Sequence, residues 1–503
     1  MNPPPATPEA LDLFLQGTLA LAKVEHSGLK IDTTFLDTKI QETEKTIKEL
    51  SFKLREDKVF KLWKKTYGER ANLGSREQLG EILFGKMGLQ GSYTRKSEED
   101  GAKKKRWKTE ESVFEEIDLP FVKDWVRVEK LKKIRGTFLE GIRKETVNGF
   151  LHPSFDLNTV RTYRSSSSNP NFTNLPIRDP EFAEIIRSCF IPRKGRVLLE
   201  IDFGALEFRG AACKWRDPAM VKYASDPNKD IHRDSAAKVF KCKKAEVGKQ
   251  ERYVAKNQFV FPQLYGSYYI QCAKNIWESC DKLNLKVNDV PMKSHLDNKG
   301  IHSLGKCNPK ESPEEGTFEK HVQKVEKDFN ETFHVYKDAK EKWWNDYLKR
   351  GWFQMMTGFV VQGLHSRNDL MNYDIQGSCF HCLLWSLIQL QKWIEKKKLR
   401  CKIVGQIHDC IVLDCPENEV QEVLSKAHQI MTTELQKAWS WVIVPMLVEI
   451  DVAETNWYLK KPWDCVNGTW IPRVKEEPKR NEATDETRGN RRDDRKQLLK
   501  GLI

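Results

Sequence analysis

Apolar residues recur every three to four positions from Glu9 to about Lys65, at Leu11, Phe14, Leu15 and Leu19 and later at Ile40, Ile47, Leu50 and Leu54. That spacing predicts long amphipathic helices with these side chains on the inward stripe. "NLGSREQLGEILF" predicts another helix. Ser75 stands at its N-cap and Gln78 at the third helical position, the pattern of a capping box. "LPFVKDWVRVEKLKKIRGTFLEGI" continues the helical character. Between these two stretches, residues 91–112 turn polar and basic, which predicts a mobile surface loop.

The pattern changes after about Phe150. "RVLLEID", Arg196 to Asp202, reads as a short strand followed by the helical run "ALEFRGAACKW". "KIVGQI" and "CIVLDC" are two further strand-like runs separated only by His408 and Asp409, which predicts a tight hairpin. From about Asp230 to Leu399 the chain is mostly helical. A Pro/Gly/Asn-rich interval at 284–316 interrupts it and is expected to be a surface insertion. Residues 475–503 are mostly charged until "QLLKGLI" and are expected to be disordered. No internal repeat is present.

Composition narrows the class. At 503 residues the chain is long enough for two to four domains or subdomains, and 15 tryptophans with 39% hydrophobic residues supply a large core. A mean hydropathy of -0.63, with no apolar run near the roughly 20 residues a spanning helix needs, argues against an integral membrane protein. The amino terminus has no basic-then-apolar signal. The 12 cysteines are scattered rather than arranged as a disulfide framework, which favours a reducing interior such as the cytoplasm. Lys and Arg total 85 against 72 acidic residues, a net +13, and this favours a polyanionic partner, nucleic acid before anionic membrane.

Four stretches carry candidate chemistry. Asp202 ends one strand-like run and Asp409 sits at the hairpin turn; if their strands are neighbours, both carboxylates emerge at one sheet edge. Such a pair suits two divalent cations roughly 3.5–4 Å apart in phosphoryl transfer, and all-oxygen ligation suits magnesium. Equally, Asp409 fits a plain turn and Asp202 a helix cap. In "RYVAKNQFVFPQLYG", Arg252 and Lys256 share a helical face, fit to clamp a triphosphate or merely to be solvated. "RTYRSSSSNPNFTNLP" gathers arginines, hydroxyls and amides suited to phosphates and base edges, or to an ordinary polar loop.

Together and in this order, from about Pro8 to Trp457, these stretches resemble the polymerase region of the family A DNA polymerases. "DFGALEFR" is similar to the family's first palm motif, "RYVAKNQFVFPQLYG" to its fingers-helix motif, and "QIHDC" to its second palm motif. "RSSSSNPNFTNLP" resembles its primer-template segment, and "DIHRDSAAKVF" and "NYDIQGSCFH" two further segments. "NLGSREQLGEILF" and "KTEESVFEEI" resemble its thumb. The resemblance implies an α+β right-hand fold with an antiparallel-sheet palm and helical fingers and thumb. Its expected parts are a thumb-like region at 1–150 with the basic loop 91–112, palm at 151–230, fingers at 231–370 with the insertion 284–316, palm again at 371–474, and the tail 475–503.

The resemblance also implies roles. Asp202 and Asp409 would hold two Mg2+ ions, with the backbone carbonyl of Phe203 assisting. Glu207 would block the 2'-hydroxyl of a ribonucleotide. Arg252, Lys256 and His232 would grip the incoming deoxynucleotide's triphosphate, and Tyr265 would stack near the template base. Arg164, Asn171, Asn174, Gln376 and His408 would contact primer-template DNA. Thumb-like sequence is expected to start almost at Met1, with no exonuclease domain before it, so this chain alone would not proofread: the exonuclease would be a separate partner polypeptide, or lost, or the chain a fragment. The tail could dock on such a partner or on a processivity factor. The compact layout resembles viral members, which would place the chain in a host cytoplasm.

Three departures stand out. The fingers helix carries one extra residue between Lys256 and Tyr265. Family spacing selects Phe261 as its aromatic, counting along one face selects Phe259, and a π-bulge would absorb the insertion; Phe261 is preferred. Gly204 and Ala205 replace polar residues beside Asp202. Cys410 replaces a glutamate, and since a thiol is a poor magnesium ligand, the chemistry is expected to rest on two aspartates. A single-subunit RNA polymerase is disfavoured by Glu207, and a reverse transcriptase by the single aspartate at the turn. A catalytically dead primer-template-binding subunit is disfavoured by retention of Asp202, Asp409, Arg252 and Lys256. Cys379 and Cys382 flank His381 at ligand-like spacing, but on a helix with no second cysteine pair, so zinc is not expected.

Overall fold

Alternating burial along Arg196–Gly204 builds the centre of the molecule. In the computed structural model, which describes residues 2–93, 106–176 and 179–473, this strand (β1) lies inside a six-stranded sheet. The others are β2 (Lys402–Ile407), β3 (Cys410–Pro416), β4 (Leu447–Ala453), β5 (Lys461–Val466) and β6 (Thr469–Pro472). The order is β2-β3-β1-β4-β5-β6, and every neighbouring pair is antiparallel. β1 runs two residues past Asp202, so the first aspartate lies within the strand rather than at its end.

Helices surround this sheet: α1 (Pro8–Ser27), α2 (Thr33–Glu56), α3 (Pro120–Lys133), α4 (Leu206–Trp215), α5 (Lys249–Ala255), α6 (His334–Arg350) and α7 (Arg367–Lys397). The α+β expectation holds. α2 and α3 pack over a core of their own around Trp63, Leu79, Phe114 and Trp125, all under 2% exposed. The long helix α7 is buried among α1, α4 and the sheet.

Of the stripe expected on α1, Phe14 packs inward against Phe359 while the three leucines face out. Leu11, Leu15 and Leu19 are 59%, 60% and 54% exposed, whereas Ala10, Leu13, Gly17, Ala20, Leu21 and Val24 are buried. Small residues win this face because they let α1 approach α7 closely: a Cβ on Gly17 would stand 2.8 Å from Leu384 Cδ2. Large apolar size marks a buried helix face only when the partner leaves room for it.

Ser75 caps its helix as expected, accepting the Gln78 N–H at 3.3 Å. The reciprocal half differs. The Gln78 carboxamide instead accepts from Trp63 Nε1 and the Asn72 N–H and donates to the Arg70 carbonyl. The interval 284–316 is more than a surface insertion. It forms the hairpin Lys286–Val287/Val290–Pro291 and the helix Met292–Asp297, and it buries Leu285, Val287, Met292, Leu296 and Ile301 in the main core. The basic loop closes at its base through Tyr93 stacked on Trp107, with ring centroids 4.2 Å apart. Its residues 94–105, like the tail from 474 onward, lie outside the described residues.

Candidate active site

The hairpin turn places the second carboxylate. β2 and β3 pair Ile407 with Cys410, leaving His408 and Asp409 as a two-residue turn. His408 takes the left-handed conformation at φ 48°, and its carbonyl accepts from the buried Gln406 carboxamide at 2.9 Å. Ser165 donates to the other end of that amide at 2.6 Å, tying the polar segment to the turn. β3 then pairs Cys410 with Asp202, and the Phe203 N–H donates to the Asp409 carbonyl at 3.2 Å. Two carboxylates about two hundred residues apart in sequence are thereby held side by side.

They floor a cleft of about 340 Å³ whose walls include Arg164, Thr173, Arg187, Glu200, Glu207, Lys256, His408, Cys410 and Trp457. A neighbouring hollow of about 300 Å³ shares Arg164, Thr173 and His408 and adds Gln376. Arg164 reaches this position because α7 carries Gly377 beneath the loop: a Cβ there would stand 2.3 Å from the Thr162 carbonyl oxygen. Asp202, Asp409, Glu207, Lys256, Arg164 and His408 are therefore brought together, and Gln376 adjoins them.

The remaining expected residues spread outward. His232 is buried, and among the described residues neither ring nitrogen has a hydrogen-bond partner. Phe261 lies edge-on to His232 at 5.7 Å, 5.2 Å from the Lys256 ammonium and 6.0 Å from the Tyr265 ring. The Tyr265 hydroxyl faces the Gln376 amide. Arg252 is paired with Asp230 at 2.6 Å, outside the cleft walls. Asn171 and Asn174 are exposed at the 3-10 turn Phe172–Asn174, where Thr173 rather than either asparagine lines the cleft; Asn171 accepts from the Thr173 hydroxyl. Phe203 contributes its backbone, and its ring is buried.

The extra residue in the fingers helix is absorbed as a π-helical turn, Lys256–Val260, between α5 and the last turn Phe261–Leu264. That turn decides between the two phenylalanines. Phe259 points into the core, 1% exposed and edge-on to Phe329 at 6.0 Å, while Phe261 shares the face of Lys256 and Tyr265.

Charge is crowded here. Asp202 is pushed well above the usual carboxylate range by burial and then by Asp409, Glu200 and Glu449, against a smaller pull from Lys460. Burial raises Asp409, opposed by Arg164 and Lys256. Glu207 rises to about 7, through burial and Asp409. His232 falls to about 3, because burial and then Lys256 and Arg252 disfavour a proton on it. Half-buried anions that disfavour one another form a site that gains by taking up a cation, and their hard oxygens fit a magnesium-type ion. Among the described residues no three or more His, Cys, Asp or Glu side chains form a metal cage. A cation held by two carboxylates would leave most of its coordination shell to water and substrate. His381, by contrast, has both ring nitrogens engaged, with Thr357 Oγ1 at 2.6 Å and the Tyr163 carbonyl at 3.0 Å.

The model of "DNA polymerase family A" matches residues 38–282 and 356–459. This chain belongs to DNA polymerase family A. It is 26% identical over 450 residues to a DNA polymerase I of Streptococcus pneumoniae, covering 88% of this chain and 45% of that protein. It is also 26% identical over 491 residues to a DNA polymerase of Bacillus phage SP01, covering 88% of this chain and 50% of that one. The family A chain thus spans about half the length of these relatives. The POL domain of Pol1 from M. smegmatis, solved with DNA primer-template and dNTP, superimposes with a TM-score of 0.67 at 20% identity, over 89% of this chain and 70% of that one. The likeness shows the shared right-hand fold of palm, fingers and thumb. No helix among the described residues is long and apolar enough to cross a membrane.

Sequence reasoning missed six walls of the cleft: Thr173, Arg187, Glu200 and Trp457, and the aliphatic Leu175 and Ile407. Glu200 was within reach, since it stands two residues before Asp202 on a strand and so on the same face. Arg187 and Trp457 carried no such local signal.

Proposed function

We propose that the chain is a template-directed DNA polymerase that adds deoxynucleotides to a primer 3' end, with two Mg2+ ions at Asp202 and Asp409. The observation that carries this reading is the juxtaposition of those carboxylates, through the Cys410–Asp202 register and the Phe203–Asp409 bond, beneath Lys256 and Arg164. The bound ions would lower the cost of the attacking 3'-oxygen's charge and of the charge on the leaving pyrophosphate. In the reaction the 3'-hydroxyl oxygen bonds to the α-phosphorus, the bond to the pyrophosphate oxygen breaks, and the hydroxyl proton passes to solvent.

The chain's own groups position and screen. Lys256 faces the cleft and would hold the triphosphate through charge-assisted hydrogen bonds, strongest as charge develops on the leaving group. Arg252 would join it on exchanging Asp230 for phosphate, and neutral His232 would donate one ring N–H there. Phe261 and Tyr265 offer the aromatic platform beside base and sugar. Glu207, on the first turn of α4, would oppose a ribose 2'-hydroxyl. Arg164, Gln376 and His408 border the adjoining hollow and would take the primer-template, with Asn171 and Asn174 exposed on either side of Thr173.

Extension of a primed template with Mg2+, offering deoxynucleotides or ribonucleotides, tests this. Deoxynucleotide extension is expected. Extension with ribonucleotides only would assign an RNA polymerase, and binding without extension an inactive subunit.

A further inference from the structure

Glu200 lies about 7 Å along β1 from Asp202 on the same face, a two-residue step in a strand. Across the sheet, Cys410, Asp202 and Glu449 form one row, and Val412, Glu200 and Asp451 the next. The Glu200 side chain is 12% exposed and fully engaged. Trp457 Nε1 donates to one oxygen at 2.6 Å and Lys460 Nζ to the other at 2.6 Å. Lys460 also reaches Asp451 at 2.7 Å, and the Arg187 guanidinium, stacked on Trp457 at 4.4 Å, stands 3.9 Å from Glu200. Arg187 Nε has no hydrogen-bond partner among the described residues.

Two cations thus stand against Glu200, one two-residue strand step from Asp202. Without the Glu200 charge, Lys460 would keep Asp451, but Arg187 would lose its one ion-pair partner among the described residues, and a guanidinium turned toward Asp202 competes directly with a divalent ion. The opposing residue on β3, Cys410, is a neutral thiol and supplies no alternative anion. A merely structural ion pair has no need to sit in the wall of the catalytic cleft, and buried pairs of that kind are often replaceable by apolar groups.

We propose that Glu200 is a positioning residue of the catalytic centre: its carboxylate holds Arg187 away from Asp202, keeping Asp202 open to a divalent cation and supplying the negative field that Cys410 cannot. The proposal rests on the polymerase reading for the identity of the cation, not for its electrostatics.

The test is Mn2+ binding to the full chain, followed by electron paramagnetic resonance, alongside the Mg2+ concentration for half-maximal primer extension. Glu200→Gln keeps shape and the Trp457 bond, and removing one nearby charge should weaken Mn2+ binding about tenfold. Adding Arg187→Met to that variant should recover much of the loss, as should adding Cys410→Glu, which restores an anion beside Asp202. Thermal melting separates the bland alternative. A strut would show a lowered melting temperature with Mn2+ affinity unchanged, and that result overturns the proposal. So would a Glu200→Gln loss that neither second substitution reverses. If the wild-type chain binds Mn2+ in this pattern yet extends no primer, the polymerase reading fails and the role of Glu200 stands.

Discussion

Among the described residues no Lys or Arg is ion-paired with Asp409, and its carboxylate lines the cleft with Asp202; its place there comes from the Phe203 backbone bond rather than from its own side chain. Asp409→Ala should therefore leave the hairpin and primer-template binding intact while lowering single-turnover incorporation by at least about a thousandfold. Near-normal incorporation would sink the two-carboxylate assignment. Glu207→Ala should raise ribonucleotide use relative to deoxynucleotide use in a competition assay; unchanged selectivity would move the sugar gate elsewhere. At this scale Asp202, Asp409 and Lys256 were legible from spacing and side-chain chemistry and Glu207 only through the family motif, and all four line one cleft. Arg252 was not: its pairing with Asp230 depends on where the helix Ile231–Val239 packs. Asn171 and Asn174 likewise match the motif but face solvent, while Thr173 between them turns inward.

Among the elements, the fingers helix carries the sharpest consequence of its length. Its extra residue is taken up by the π turn Lys256–Val260, so Phe261 and Tyr265 keep the face they share with Lys256. Deleting Gln258 should make the helix regular and leave deoxynucleotide KM within a few-fold. Inserting an alanine there should rotate the aromatic pair by about 100° and raise KM far more, a contrast that steady-state kinetics reads directly. The end of this helix rests on α6. Tyr336 OH donates to the carbonyls of Gln263 and Leu264, and buried Lys340 donates to Gln263 O. Burial lowers Lys340 to about 8. The folded state then binds its proton less tightly than the unfolded chain, so the lysine costs stability below pH 8, and that cost fades between about pH 8 and 10.5. Lys340→Met should remove a penalty of about 3 kcal/mol at pH 7, offset by the lost carbonyl bond. Chemical denaturation should show the difference between variant and wild type moving toward wild type over that window. No pH trend in the difference would mean the ammonium is solvated.

For the molecule as a whole, α1 shows how far a stripe of leucines can mislead. Ala10, Gly17 and Ala20 join Leu13, Leu21 and Val24 on the buried face, Gly17 where α7 lies close, while Leu11, Leu15 and Leu19 are left outside. Gly17→Val should push the two helices apart and cost about 1–3 kcal/mol, the usual range for overpacking, seen as a lower melting temperature. A neutral result would show that Leu384 can change rotamer freely. The interval 284–316 teaches the same lesson in reverse: its Pro, Gly and Asn residues read as surface, yet Leu285, Met292 and Leu296 anchor it in the core.

Taken by itself, the sequence determined the elements whose signal is local: the His408–Asp409 hairpin, the strand ending near Asp202, the capped helix at Ser75, the basic balance, and the ordered motifs that identify the family. These depend on spacing and side-chain chemistry within a few residues, which the chain carries in one dimension. Tertiary structure alone decided which face of α1 is buried, which phenylalanine joins Lys256, and that Glu200, Arg187, Trp457 and Lys460 stand together beside Asp202. Each of those outcomes depends on what packs against the residue from a distant part of the chain, and no local spacing records it.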